Sequence, residues 1–184
     1  MMQQTIKVGA ITHLTDARFF AAYAVEFLGF CFDPQSTQYL SPAQALAIKG
    51  WINGPRIVAE FAHQDAENVR EIIAFVQPDV VQVPYAEYAQ LRPLLLSIGL
   101  PVIVEYQAHE QALPLDELVI YYLLKDRKDI PEGMAPGECM FPLDAPYDIQ
   151  SLPAGTAIQL SGSPEEATGI KSYDAIADWL EQLS

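Results

Sequence analysis

The feature that most constrains the fold of this chain is a regular alternation of short apolar runs with segments of helical character. Strands rich in Val, Ile and Phe are predicted at residues 6–11, 26–32, 56–61, 80–84 and 101–106. Predicted helices follow the first four of them, at about 15–24, from 42 onward, at 65–76 and at about 86–98. Strands that alternate with helices in this order indicate βα units on a parallel sheet.

The helix boundaries are predicted from side chains that can accept hydrogen bonds from free backbone N–H groups, and from prolines, which have no N–H group. Thr15 and Asp16 are predicted to cap the first helix, because their side chains can accept hydrogen bonds from free N–H groups. Ser41 is predicted as the cap of the second helix, with Pro42 at its first position, where no donor is lost. Pro93 is predicted to bend or restart the fourth helix.

The alternation weakens in the second half of the chain. The elements predicted there are strands at 118–124, 139–143 and 157–161 and a final helix at 172–183. The segments between these strands are short or broken by proline and cannot hold full helices. We predict one α/β domain over residues 1–184, a shortened (β/α)8 TIM-type barrel with the helices of the fifth to seventh units reduced or missing. A doubly wound open sheet is the alternative, although no Gly-rich turn follows the first strand.

Charge and hydropathy limit the partners of the chain. Ten basic residues against twenty-four acidic ones give a formal net charge of −14, which repels nucleic acid and anionic membranes. No apolar run approaches the ~20 residues that cross a bilayer, and the N-terminus lacks the pattern of a signal peptide. We therefore expect a cytoplasmic protein with no nucleic-acid or membrane partner and no cofactor.

The cysteines and histidines do not form a metal-binding pattern. Cys31 and Cys139 lie far apart in the sequence, and we expect packed thiols rather than a disulfide. The three histidines are scattered without ligand spacing. No metal site is predicted from them.

Several segments carry a recognisable motif order. The chain reads K-V-G-A-I-T from Lys7, Asp16-Ala17, F-L-G-F-C-F from Phe27 and P-Q-S-T-Q-Y-L-S-P from Pro34. These segments resemble the opening of the phosphoribosylanthranilate isomerase family, which reads K-x-C-G-I-T, an early Asp-Ala, A-L-G-F-x-F and P-x-S-x-R-Y-V-S-P. The segment V-A-E-F that ends at Phe61 is similar to the family's V-G-V-F strand, and L-S-G-S from Leu160 resembles its S-S-G turn.

The resemblance implies a TIM barrel, an Amadori rearrangement in tryptophan biosynthesis and a defined set of site positions. It places the cysteine that acts as the family's general base at Gly9, and the arginine of the loop after the second strand at Gln38. It places the aspartate that acts as the general acid at Asp126, provided that Lys125 is an insertion. It implies phosphate binding by backbone N–H groups at Ser161 and Gly162.

The chain departs from the family at the positions that carry the chemistry. Gly9 cannot accept a proton, and Gln38 lacks the charge and the two-pronged geometry of arginine. The family's His-Gly after the fourth strand is replaced by Pro84-Tyr85. The sequence therefore predicts that the isomerase activity is lost.

Two carboxylates outside the family motifs are also candidates. Glu60 and Glu105 each lie late in a strand that is otherwise apolar, and the chemistry of a barrel lies at the carboxyl ends of its strands. They could form an acid/base pair or a cation site. The alternative is that they face solvent or pair with a basic residue, and Lys7 is a candidate for neutralising a buried carboxylate.

Two functional interpretations stay open at this point. The first is a repurposed barrel that binds a small molecule, phosphorylated or not, or a protein partner. The second is an active isomerase, or another phosphosugar enzyme, with a site rebuilt from Glu60, Glu105, Asp126 or Asp144. A homodimer that covers the shortened fifth to seventh units is also expected.

Overall fold

Eight parallel strands form a closed barrel in the order of the sequence, in a computed structural model that describes residues 4–107, 116–143, 152–162 and 173–183. The strands are Ile6–Gly9 (β1), Phe27–Cys31 (β2), Arg56–Glu60 (β3), Val80–Pro84 (β4), Val102–Tyr106 (β5), Val119–Leu124 (β6), Cys139–Pro142 (β7) and Ala157–Ser161 (β8). Each pairs with its neighbour in sequence, and β8 closes onto β1. The TIM-type barrel predicted from the sequence is confirmed, and the open sheet is wrong.

Five α-helices are described around this barrel. They are Leu14–Ala22 (α1), Pro42–Lys49 (α2), Ala66–Val76 (α3), Tyr85–Ile98 (α4) and Asp174–Leu183 (α5). No described helix is long and apolar enough to cross a membrane. Only the 3-10 helices Arg127–Asp129 and Pro136–Glu138 connect β6 to β7, which confirms the reduced sixth unit. The predictions for the fifth and seventh units fall largely on 108–115 and 144–151, outside the described residues.

The start of α2 agrees with its prediction, and α3 shows the same kind of cap. The Ser41 side chain accepts from the backbone of Gln44, and Pro42 is the first helical residue. The Asp65 carboxylate caps α3 by accepting from the N–H of Asn68 at 2.9 Å. Both caps satisfy donors that the first turn of a helix leaves free.

The predicted starts and breaks of two other helices need correction. The capping of α1 by Thr15 and Asp16 is wrong, because His13 holds the cap position and makes no side-chain cap bond. Asp16 is instead buried in the first turn, where it accepts a hydrogen bond from the hydroxyl of Tyr173. The predicted restart at Pro93 is also wrong, since α4 runs through this residue without interruption.

Two apolar clusters lie on the two sides of the strands. The larger one fills the space between the barrel and its helices. The smaller one takes one residue from each of six strands: Phe27, Val58, Val80, Ile103, Met140 and Ala157. Successive side chains of a strand point to opposite faces, so this second cluster fills the interior of the barrel.

The two cysteines differ in their surroundings, although both are free thiols. Cys139 is fully buried, as expected for a packed thiol. Cys31 is the last residue of β2 and is only partly buried. The prediction of a packed thiol therefore holds for Cys139 and only in part for Cys31.

The capping of α3 leads to a simple test of local stability. Replacing Asp65 with Ala removes the acceptor for the N–H of Asn68 and should lower the free energy of unfolding by about 1 kcal/mol. Asp65→Asn keeps an acceptor and should unfold close to the wild type. Urea unfolding of the three proteins measures both effects, and equal losses in the two variants would contradict the cap.

Candidate functional site at the carboxyl ends of the strands

Polar side chains form the layer of the barrel interior next to the strands' carboxyl ends. On β3, β4, β5 and β8 the inward residue two positions after the interior apolar cluster is polar, and β1 adds a buried lysine. This polar layer consists of Lys7, Glu60, Gln82, Glu105 and Gln159. Active sites of such barrels lie at this end of the strands. The polar layer is therefore the candidate functional site.

A buried ion pair holds one side of the polar layer. Lys7 is fully buried, and its ammonium donates to Glu60 Oε1 and, at 2.7 Å, to Gln159 Oε1. The side chain of Glu60 is only 12% exposed. The two charges compensate each other in a region from which water is largely excluded. The prediction that Lys7 neutralises a buried carboxylate is confirmed.

The backbone after β1 supplies a further partner to this carboxylate. The N–H of Ala10 donates to Glu60 Oε2 at 3.1 Å. Ala10 has a φ of 53°, a left-handed conformation that costs a residue with a Cβ about 1–2 kcal/mol. Strained backbone of this kind persists where the surrounding structure holds it in place. Both oxygens of Glu60 thus have partners in β1 or just beyond it.

Two glycines on adjacent strands make room for the Glu60 carboxylate. An ideal Cβ built on Gly29 would overlap Glu60 Oε1, and one built on Gly9 would lie 2.9 Å from the same oxygen. The Gly9 Cβ would also lie 3.2 Å from the Lys7 ammonium nitrogen. We call this space between Gly9 and Gly29 the glycine notch. The carboxylate fits because neither residue has a side chain.

Glu105 lacks the compensation that Glu60 receives. It accepts a hydrogen bond from Gln82 Nε2 at 2.6 Å, which is an uncharged donor. Burial raises the pKa of the Glu105 carboxyl, and the Gln82 hydrogen bond offsets part of this rise. Within the described part of the chain, the buried Oε1 of Gln82 has no hydrogen-bond partner. This side of the polar layer has unused hydrogen-bonding capacity.

A cavity of about 260 Å³ opens next to Glu105 and Gln159. Its lining comes from the ends of β5, β6, β7 and β8: Glu105, Tyr106, Gln107, Leu123, Leu124, Lys125, Pro142 and Gln159. Tyr106 is the single aromatic residue among the described lining residues. Within the described part of the chain, the cavity therefore lies on the side of Glu105, whereas the side of Glu60 is occupied by the ion pair.

The other residues predicted for the site lie apart from the ion pair or at its edge. Gln38 is exposed in the loop between β2 and α2, and its backbone N–H donates to Ser36. Ser161 ends β8, and the N–H of Gly162 donates to the carbonyl of Gly9 at 3.1 Å. Asp144 lies outside the described residues. Roles in substrate binding for Gln38, Ser161 and Gly162 stay predictions.

Asp126 is exposed and caps the short helix that follows β6. It accepts from the backbone N–H of Lys128 and forms an ion pair of 3.4 Å with the Lys128 ammonium. The Lys128 N–H lowers the pKa of Asp126, so the carboxyl loses its proton more readily than a free aspartate does. This arrangement does not favour an acid that must hold a proton, and the catalytic role of Asp126 stays a prediction.

Sequence reasoning found Glu60, Glu105 and Lys7 but missed Gln82 and Gln159. Each glutamine lies two positions after an apolar strand residue, Val80 or Ala157, and so has the same spacing as the Val58–Glu60 pair. This two-residue spacing was the available signal. Among the described residues, no group of three or more His, Cys, Asp or Glu is arranged to hold a metal ion.

Comparisons with known proteins relate this barrel to one family of enzymes. No established family profile matches the chain. Over 89 residues it is 30% identical to the N-(5'-phosphoribosyl)anthranilate isomerase of Thermotoga maritima, a segment that covers 47% of this chain and 42% of that protein. The crystal structure of phosphoribosyl anthranilate isomerase from Thermus thermophilus matches with a TM-score of 0.74 and 24% identity, over 98% of each chain. The chain thus shares the fold of the phosphoribosylanthranilate isomerases and is similar to them in sequence over about half of its length.

A third comparison concerns a liganded member of that family. A phosphoribosyl anthranilate isomerase in complex with reduced 1-(o-carboxyphenylamino)-1-deoxyribulose 5-phosphate matches with a TM-score of 0.73 and 20% identity, over 98% of each chain. The sequence match spans less than half of the curated relative, whereas the structural match spans nearly the whole barrel. The relationship therefore confirms the fold predicted from the motifs.

The glycine notch coincides with a catalytic position of the isomerases in the motif comparison. The motif resemblance places the catalytic cysteine of the isomerases at Gly9 and a valine of their third strand at Glu60. In this chain a Cβ on residue 9 would lie 2.9 Å from Glu60 Oε1, so a side chain there would require the carboxylate to shift. The absence of a side chain at Gly9 and the long side chain of Glu60 therefore fit each other.

The fit between the glycine notch and Glu60 can be measured with a double-mutant cycle. Gly29→Ala should lower the free energy of unfolding by about 1–3 kcal/mol, because the new methyl group overlaps the Glu60 carboxylate. The same substitution should cost less in a Glu60→Ala background, where the space is free. Chemical denaturation of the four proteins gives the coupling. Gly137→Ala is the matched control, since a Cβ there meets nothing within 4 Å.

The raised pKa of Glu105 predicts a pH-dependent stability. The folded protein binds the Glu105 proton more tightly than the unfolded chain, so stability is lost as the pH rises through the folded-state pKa. Glu105→Gln removes this titration, and its stability relative to the wild type should increase from acidic to neutral pH. Denaturation at a series of pH values tests this. A curve for Glu105→Gln that runs parallel to that of the wild type would contradict the prediction.

Proposed function

We propose that this chain keeps the isomerase scaffold, does not rearrange phosphoribosylanthranilate, and binds a small molecule at the carboxyl end of its barrel. The observation that carries the proposal is the position of Glu60. Its carboxylate fills the glycine notch and is ion-paired with buried Lys7. A side chain on residue 9 would require this carboxylate to leave its position.

The missing groups account for a large part of the parent reaction rate. The resemblance places a general base at Gly9 and a substrate-holding arginine at Gln38, and neither residue can replace the original group. One general acid or base contributes about 10²–10⁴-fold to a rate. A barrel without the base and the arginine should therefore retain little of the parent activity.

The open cavity supports small-molecule binding as the retained role. It lies at the strand ends, where barrels bind their ligands, and it combines apolar walls with charged and amide groups. Its volume of about 260 Å³ is just below the range of about 300–1,000 Å³ found for drug-sized ligands. The ligand should therefore be a small metabolite.

A phosphorylated ligand is the less favoured choice. It would need free N–H groups at Ser161 and Gly162, and the N–H of Gly162 already donates to the Gly9 carbonyl. The net charge of −14 also disfavours an anionic ligand. We therefore propose an unphosphorylated ligand in a cytoplasmic protein, with the predicted homodimer as part of the same proposal.

A second candidate function is an active isomerase, or another phosphosugar enzyme, with a rebuilt acid/base pair. Two observations favour it. The Glu60 carboxylate takes the space of the family's base, and burial raises the pKa of Glu105 toward that of a useful acid. Against it, both oxygens of Glu60 are engaged, by Lys7 and by the Ala10 N–H.

Turnover of phosphoribosylanthranilate separates these two candidates. Purified wild-type protein should give no rate above the uncatalysed reaction, with an established isomerase as the positive control. Expression in a bacterial strain that lacks the isomerase should not restore growth without tryptophan. A substantial rate that Glu60→Gln abolishes would overturn the proposal in favour of the rebuilt acid/base site.

A further inference from the structure

The cavity at the end of β5–β8 contains two groups of opposite charge at different depths. Glu105 lies in the polar layer at the base of the cavity, and Lys125 lies at its rim, directly after β6. We propose that this cavity binds a small zwitterion, an aminocarboxylate whose ammonium group contacts Glu105 and whose carboxylate contacts Lys125. The inference rests on the proposed small-molecule function and specifies its ligand class.

Among the described residues, no cation forms an ion pair with the carboxylate at the base of the cavity. Of the two carboxylates in the polar layer, Glu60 pairs with the ammonium of Lys7, whereas Glu105 accepts a hydrogen bond from the uncharged amide of Gln82. A largely buried carboxylate without a cation is costly to ionise. A ligand ammonium group would supply that cation and three hydrogen-bond donors. The buried Oε1 of Gln82, without a partner in the described part of the chain, lies on the amide that already contacts Glu105.

The rim of the cavity offers the complementary charge. Lys125 is exposed, and no described carboxylate forms an ion pair with it. Of the described residues that line the cavity, it is the one basic residue. Basic residues are the minority among the charged residues of this chain, ten against twenty-four acidic ones, and one of them lies at the mouth of this cavity. Its ammonium can bind the carboxylate of a ligand at the solvent edge.

The strand register places the two residues at different heights in the barrel. Glu105 lies beside Leu123 in the strand register, and Lys125 follows Leu123 by two residues, just after the end of β6. Since the strand rises ~3.3 Å per residue, the backbone of Lys125 lies beyond that of Glu105 toward the carboxyl end of the barrel. Leu123, Leu124 and Pro142 line the cavity with them and can contact the methylene groups of a ligand. A short aliphatic chain with an amine at one end and a carboxylate at the other fits this geometry.

The test uses the full-length protein and a panel of simple probes. The aminocarboxylates are alanine, leucine, β-alanine, 4-aminobutanoate and 5-aminopentanoate, and the matched half-probes are butylamine and butanoate. Titration calorimetry should show at least one aminocarboxylate bound at least tenfold more tightly than either half-probe. Equal affinity for butylamine and every aminocarboxylate, or no binding by the panel, would overturn the inference.

Two substitutions assign the two ends of the ligand. Glu105→Gln should weaken the aminocarboxylate at least tenfold and remove any binding of butylamine. Lys125→Met should weaken the aminocarboxylate about tenfold and leave butylamine unchanged. Lys128→Met is the matched control, because Lys128 is an exposed lysine outside the cavity lining that pairs with Asp126. A Lys125→Met protein that binds the aminocarboxylate like the wild type would overturn the assignment.

The experiments distinguish a failure of the zwitterion inference from a failure of the proposed function. If ribose 5-phosphate or inorganic phosphate binds in the cavity and the aminocarboxylates do not, the zwitterion inference and the choice of an unphosphorylated ligand fail, while small-molecule binding stands. If the wild type turns over phosphoribosylanthranilate, the proposed function itself fails. Circular dichroism and thermal unfolding of each variant confirm that a lost affinity does not reflect a lost fold.

Discussion

The ion pair between Lys7 and Glu60 organises the carboxyl end of this barrel. It joins β1 to β3 across the interior, and Gln159 of β8 also accepts from the lysine. Removing one partner of a buried pair leaves the other charge buried without compensation, which typically lowers the free energy of unfolding by about 3–5 kcal/mol. The left-handed turn at Ala10 directs a backbone N–H toward the same Glu60 carboxylate. The open cavity lies on the side of the barrel that this pair does not occupy.

The asymmetry of the polar layer follows from charge compensation. The polar layer contains one lysine and two carboxylates, and the lysine forms its ion pair with Glu60. Glu105 is left with an amide donor in a region of low dielectric, which is why its proton is held more tightly than usual. A site that has already paired one carboxylate and left the other exposed to a cavity is suited to recognising a charge brought in from outside.

The strands and most helices of the first half follow from local patterns. Apolar runs bounded by turn residues place β1 to β5, and the Ser41-Pro42 and Asp65 starts follow from the preference of helix ends for side-chain acceptors. The start of α1 does not follow from this preference, because Asp16 accepts a hydrogen bond from Tyr173 and does not cap the helix. Glu60 and Glu105 could be selected from the sequence by their place in the strand. Their different environments could not, because these depend on which neighbour each one meets across the barrel.

The glycine notch limits the routes by which a thiol could be introduced on β1. A cysteine at residue 9 would displace the carboxylate of Glu60, and shortening Glu60 first would leave the Lys7 charge unpaired inside the barrel. Each single substitution passes through a less stable protein, so several positions would have to change together. The present arrangement is therefore entrenched, because stepwise change can modify the cavity around Glu105 more readily than it can place a side chain on residue 9.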